Sequence, residues 1–148
     1  GACIALASDL RIASEDARIA FLFVKVGLAG TDMGASHLLP RIVGFSKATE
    51  LLYTGDFITA AEAERIGFYN RVVAGDQLKT TTRDFAERLA RGPAFALGKT
   101  KEMLNRELHM DFESALESEA QAQAICMQHP DYREAYEAFV AKREPKFK

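Results

Sequence analysis

The stretch "ATELLYTGDFITAAEAERIGFYNRVV", residues 48–73, decides the fold class. Ser46 opens a helix just upstream, and Gly55 closes it, because glycine adopts the left-handed backbone that ends a helix at least cost. Thr59-Ala-Ala-Glu62 is a capping box, in which a hydroxyl and a carboxylate satisfy the first free amides of a helix. A short helix therefore starts there and ends near Gly67. Asn70–Val73 reads as a short strand. Helix, helix and strand in close succession place the chain in the α/β class.

Toward the N-terminus, residues 1–8 form a small-residue helix end. "DLRIAS" and "ARIAFLF" read as short buried strands, with Ser14, Glu15 and Asp16 as the turn between them. A glycine-rich turn follows in "GLAGTDMGASHLLPRIVG", Gly27–Gly44, and runs into a helix at about 34–43. Pro40 lacks an amide proton, so a break or kink is expected there. Toward the C-terminus, Asp76 onward is helical. The helix over 76–91 is amphipathic, with Phe85 and Leu89 on one face. Gly92-Pro93 breaks it, and the next helix runs to about His109. Asp111 or a near neighbour caps another, to about Gln128, and Pro130 falls in the first turn of the last. The chain divides into a mixed α/β part, residues 1–75, and a helical part, residues 76–148. It contains no internal repeat.

Composition excludes several classes. The 148 residues carry a net charge of −2, which is too little positive field for nucleic acid to be the main partner. The basic end, "AKREPKFK", can hold a few phosphates but not a duplex. Two distant cysteines, Cys3 and Cys126, make no disulfide scaffold and fit a reducing compartment, so the cytoplasm is expected. No apolar run is long enough to span a bilayer, and no signal peptide is visible. The chain starts abruptly at Gly1 in an apolar stretch, which reads as the C-terminal part of something longer.

Asp32 is the leading candidate for chemistry. At a helix N-terminus it acts as a cap, or, in an apolar pocket, as an acid, base or nucleophile with a desolvation-raised pKa. Both roles are compatible. His37 lies one turn further on and reads as a satisfied or partly exposed histidine. His109 and His129 stand at helix ends. No spacing of His, Cys, Asp and Glu matches a metal site, no serine triad is evident, and no glycine-rich nucleotide loop occurs. Cys3 reads as a small hydrophobe in a helix. Phe139, Lys142, Arg143, Phe147 and Lys148 form an aromatic and basic cluster. It is either a frayed amphipathic tail or a nucleotide clamp, with a ring for a base and ammonium groups for phosphates.

Four stretches together resemble the enoyl-CoA hydratase/isomerase (crotonase) family: "GACIALASDLRIASEDARIAF", "VGLAGTDMGASHLLPRIVG", the opening stretch at 48–73, and "AFVAKREPKF". The resemblance covers the whole chain. It implies the C-terminal half of a crotonase-like ββα spiral, followed by an α-helical oligomerisation domain that forms trimers or hexamers. It implies an acyl-CoA substrate, whose coenzyme A is part of the substrate, and no separate cofactor. Two backbone amides hold the thioester oxygen in such enzymes, and this oxyanion hole stabilises an enolate. Gly1 is the remnant of one donor turn. The other donor belongs to an N-terminal half, a possible partner outside this chain.

The positions of the two family glutamates fall, by register, on Cys3 and Phe23. Neither carries a carboxylate, which argues against two-glutamate hydration. Some relatives place a catalytic aspartate where Asp32 stands, and a lone carboxylate suits moving one proton between two carbons. Phe139 and Lys142 match the family's F-x-x-K, which implies contact with the adenine and phosphates of coenzyme A. Two alternatives remain: a non-catalytic CoA-binding or oligomerising module, and an acyl-CoA hydrolase or dehalogenase using Asp32 as nucleophile. This chain alone is expected to show little or no activity. Phe21, Phe23, Phe45 and Phe57 suit either a bulky acyl group or an ordinary core.

Overall fold

The computed structural model describes residues 1–147. The chain divides into two compact units, Gly1–Arg83 and Asp84–Lys148. The first contains α1 (Ala2–Leu6), β1 (Ile12–Ser14), β2 (Arg18–Ile19), a 3-10 turn (Leu22–Val26), α2 (Ala35–Val43), α3 (Phe45–Thr54), β3 (Ile58–Thr59), α4 (Ala60–Arg65) and β4 (Arg71–Val73).

The strands pair at long range. β1 runs parallel to β4, with Ala13 opposite Val72, and β2 runs antiparallel to β3, with Ile19 opposite Ile58. β1 and β2 are thus neighbours in sequence but not partners. The pairing of β1 with β4 begins at Arg11 and Asn70: the Arg11 amide donates to Asn70 Oδ1 at 2.7 Å, and the Asn70 amide donates to the Arg11 carbonyl at 2.8 Å. The Arg11 guanidinium then lies over the Phe68 ring, 5.5 Å from its centroid. Burial there lowers its pKa, against a weaker opposite pull from Asp9.

The core of this unit is built by Leu6, Ile19, Phe21, Leu39, Leu51 and Phe68, with alanines 35, 48 and 63 where helices approach closely. Phe21 and Phe68 meet edge to face, with centroids 6.4 Å apart, a favourable aromatic geometry.

Local expectations hold in the 48–73 stretch. Gly55 ends α3 at φ 62, and a Cβ there would sit 3.1–3.2 Å from Lys25, Phe21 and Val24, so backbone and space both call for glycine. The Thr59 hydroxyl accepts from the Glu62 amide at 3.2 Å and caps α4. The Glu62 carboxylate is drawn to Arg65 and Lys47, which hold its pKa low, Arg65 foremost.

Three expectations are corrected. "ARIAFLF" is a strand only over Arg18–Ile19, because the chain then turns into the 3-10 segment that buries Phe21. Pro40 does not break α2: the carbonyl it leaves unpaired is that of Ser36, which is exposed to water. α3 starts at Phe45, not Ser46. Gly44, at φ 81 and ψ 156, ends one helix and starts the next in a single residue.

The second unit is helical. α5 (Leu78–Ala90) leads into it from the first unit, followed by α6 (Ala94–Arg106), a 3-10 turn (Glu107–His109), α7 (Phe112–Gln128) and α8 (Pro130–Val140). Asp111 caps α7, its Oδ1 accepting from the Ser114 amide at 3.0 Å. His129 joins α7 to α8. Its Nδ1 accepts from the Asp131 amide at 3.3 Å, and its ring stacks on Phe95 at 4.5 Å. α5, α6 and α7 contain no buried residue among the described residues; Asp131 and Ala138 of α8 are buried. No helix is long and apolar enough to cross a membrane among the described residues.

Candidate active site

In the first unit, two of the residues singled out by the sequence meet. Cys3, buried on α1, directs its thiol to the backbone carbonyl of Asp32, with Sγ 3.8 Å from the oxygen. The same carbonyl accepts from the Ala35 amide at 3.0 Å. The backbone at Asp32 is therefore fastened to α1 on one side and to the start of α2 on the other.

The cap expected of Asp32 is not made. Gly34, at φ 83, is the N-cap residue of α2, and no side chain caps the helix. Asp32 Oδ1 instead accepts from the next amide, that of Met33, at 2.8 Å. The carboxylate is exposed rather than enclosed by apolar groups. Met33 is held at φ 49. A left-handed backbone is uncommon for a residue other than glycine, and such strain concentrates at functional positions. The described residues include one more non-glycine residue at positive φ: Lys142, at φ 50. One of these left-handed residues thus adjoins Asp32, and the other is the lysine of the F-x-x-K.

The remaining candidates are placed as follows. Gly1 precedes α1, and its carbonyl accepts from the Ala5 amide at 3.0 Å. Phe23 lies in the 3-10 turn, half-buried against the core. His37 is exposed on α2. No cluster of His, Cys, Asp and Glu able to hold a metal occurs among the described residues.

Phe139 and Lys142 belong to the second unit. Phe139, in the last turn of α8, is 82% exposed. Arg143 is not part of a frayed tail. Its guanidinium pairs with both carboxylate oxygens of Glu134 at 2.6 and 3.0 Å, and the Lys146 amide donates to Glu134 Oε1 at 2.7 Å. The guanidinium first, and then the amide, hold the Glu134 pKa at about 2. Sequence reasoning missed this clasp. Lys148 lies outside the described residues. A cleft of about 640 Å³ between α6 and α7, lined by Met103, Leu116 and Cys126 among others, holds none of the candidate site residues.

The family model for enoyl-CoA hydratase/isomerase matches residues 1–148. The chain belongs to that family. It is 35% identical over 147 residues to 1,2-epoxyphenylacetyl-CoA isomerase of Escherichia coli K12, covering 99% of this chain and 56% of that protein. It is 36% identical to short-chain-enoyl-CoA hydratase of Clostridium acetobutylicum, covering 97% of this chain and 55% of that one. The crystal structure of a protein from Streptomyces coelicolor A3(2), described as an enoyl-CoA hydratase by assignment, superposes with a TM-score of 0.96 at 47% identity, over 99% of this chain and 54% of that one. The fold is therefore the crotonase-like α/β fold. The chain spans about half the length of these relatives.

Proposed function

We propose that the protein processes acyl-CoA thioesters as an enoyl-CoA hydratase or isomerase, with Asp32 as the acid–base group. The observation that carries this reading is the anchored Asp32: its carbonyl is held by Cys3 and Ala35, and its Oδ1 by Met33. With Oδ1 so engaged, Oδ2 is the oxygen that exchanges a proton with the substrate carbon. A backbone amide of the turn ending at Gly1 and a second amide from outside this chain hold the thioester oxygen as negative charge develops there.

The absence of a carboxylate at Cys3 and Phe23 favours isomerisation over hydration, since one group both removes and returns the proton. Phe139 and Lys142 take the adenine and phosphates of the coenzyme A moiety. The apolar side chains left exposed in the helical unit, Leu104 and Phe112 among them, support its assembly into a homo-oligomer, a trimer or hexamer.

Asp32→Asn in the full-length protein tests the assignment. It should lower kcat for double-bond migration in an enoyl-CoA ester by at least about 100-fold, with the thermal midpoint unchanged. Full activity in that variant overturns the role. The 148-residue chain alone should turn over neither crotonyl-CoA nor its isomers.

A further inference from the structure

Lys142 stands where a helix end ordinarily carries glycine. α8 closes in a Schellman arrangement: the Arg143 amide donates to the Ala138 carbonyl at 3.0 Å, and the Lys142 amide to the Phe139 carbonyl at 3.2 Å. The residue between the two must be left-handed, and Lys142 is, at φ 50. Glycine would close the helix with less strain. What offsets the strain is the Glu134 clasp. Arg143, directly after Lys142, is bound by two hydrogen bonds to Glu134, and Lys146 adds a third through its amide. The chain on the far side of Lys142 is thus tied back onto α8. The clasp also consumes the Glu134 charge on Arg143. Lys142 itself has no ion-pair partner among the described residues.

We infer that Glu134 is a positioning residue for phosphate binding: by clasping Arg143 and Lys146 it holds Lys142 left-handed, with its ammonium group at the same end of α8 as the exposed Phe139 ring. This rests on the reading of Phe139 and Lys142 as the coenzyme A contact. A clasp that served only to end the helix would have no reason to keep a cation at the one position glycine fills best.

The test is the affinity for coenzyme A, measured by calorimetry on the full chain in a double-mutant cycle. Lys142→Met should weaken binding about tenfold, as expected for loss of one charge-assisted phosphate contact. Glu134→Gln should weaken it severalfold, and should add nothing in the Lys142→Met background. A purely structural role would lower the melting temperature in both backgrounds and leave the affinity alone. Arg143→Gln opens the same clasp from the other side and should match Glu134→Gln, so the outcome stands even if one variant fails to fold. If Lys142→Met and Phe139→Ala both leave the affinity unchanged, the coenzyme A reading fails and the inference with it. If Lys142→Met weakens binding while both clasp variants do not, or if their losses simply add to it, the inference alone is overturned.

Discussion

The two units of the chain are held together by different means. In the first, Phe21, Leu39 and Phe68 are fully enclosed, and helices close over alanines. In the second, α5, α6 and α7 bury no residue, while Leu104, Leu108, Phe112 and Leu116 face outward. Its helices are held instead by local devices: the Asp111 cap, the His129 junction and the run Lys99–Glu102–Arg106. A unit that closes on its own core is stable by hydrophobic burial. A unit built from caps and exposed pairs gains far less, since each such contribution is small. Both units also leave large apolar side chains exposed, Phe45 and Tyr53 in the first and Leu104 and Phe112 in the second.

The largest effect that can break this contrast comes from truncating an apolar side chain in each unit. Phe68→Ala should cost about 3–5 kcal/mol in denaturant unfolding, because Phe68 is 0% exposed. In the unassembled chain, Leu104→Ala should change stability by less than about 0.5 kcal/mol, because Leu104 is 67% exposed. A large penalty at Leu104 would mean that this face is already covered in solution.

A smaller effect comes from the caps. Asp111→Ala should speed hydrogen exchange at the Ser114 amide and the first turn of α7 by roughly fivefold. The α4 amides of the first unit should be unaffected. Exchange that rises across both units would show that the two do not respond separately.

The smallest effect sharpens the picture of the second unit. The folded pKa of Glu134, about 2, lies below the ordinary value of 4.5. The clasp therefore adds stability in full above pH 4.5, and loses it as the pH falls from 4.5 toward 2. The carboxylate faces Arg143 and Lys146, while Glu137, one turn on, is occupied by Arg133. Carbon-13 titration of the Glu134 carboxyl should give a midpoint near 2, and a midpoint at 4 or above would mean an open clasp.

What could be read from the sequence follows the range of the interaction. Gly55, Thr59 and Asp111 act on residues within one helical turn, and each marked its helix end correctly. The strand partners were hidden. β1 and β4 have three residues each and β2 and β3 have two, too short for a periodic pattern, and Arg11 meets Asn70 across 59 positions. At Pro40 the local rule lost, because Ser36, whose carbonyl the missing proline amide would have met, is exposed. At Asp32 the capping rule lost to Gly34, whose left-handed backbone starts the helix without a side chain. The candidate site residues come from motif alone, and neither the thiol of Cys3 on the Asp32 carbonyl nor the Glu134 clasp has a spacing rule to betray it. One spans 29 positions and the other turns back past a helix end.

The pairing of β1 with β4 also sets an order of events during synthesis. Ile12–Ser14 cannot pair with Arg71–Val73 until that strand has emerged, about 60 residues later. At roughly 5–20 residues per second, that is an interval of several seconds. Throughout it the Phe21 side chain lacks Phe68, its aromatic neighbour. The nascent first unit therefore passes through a period in which this strand pairing and the Phe21–Phe68 contact are both unmade, when a chaperone at the ribosome would find more to bind.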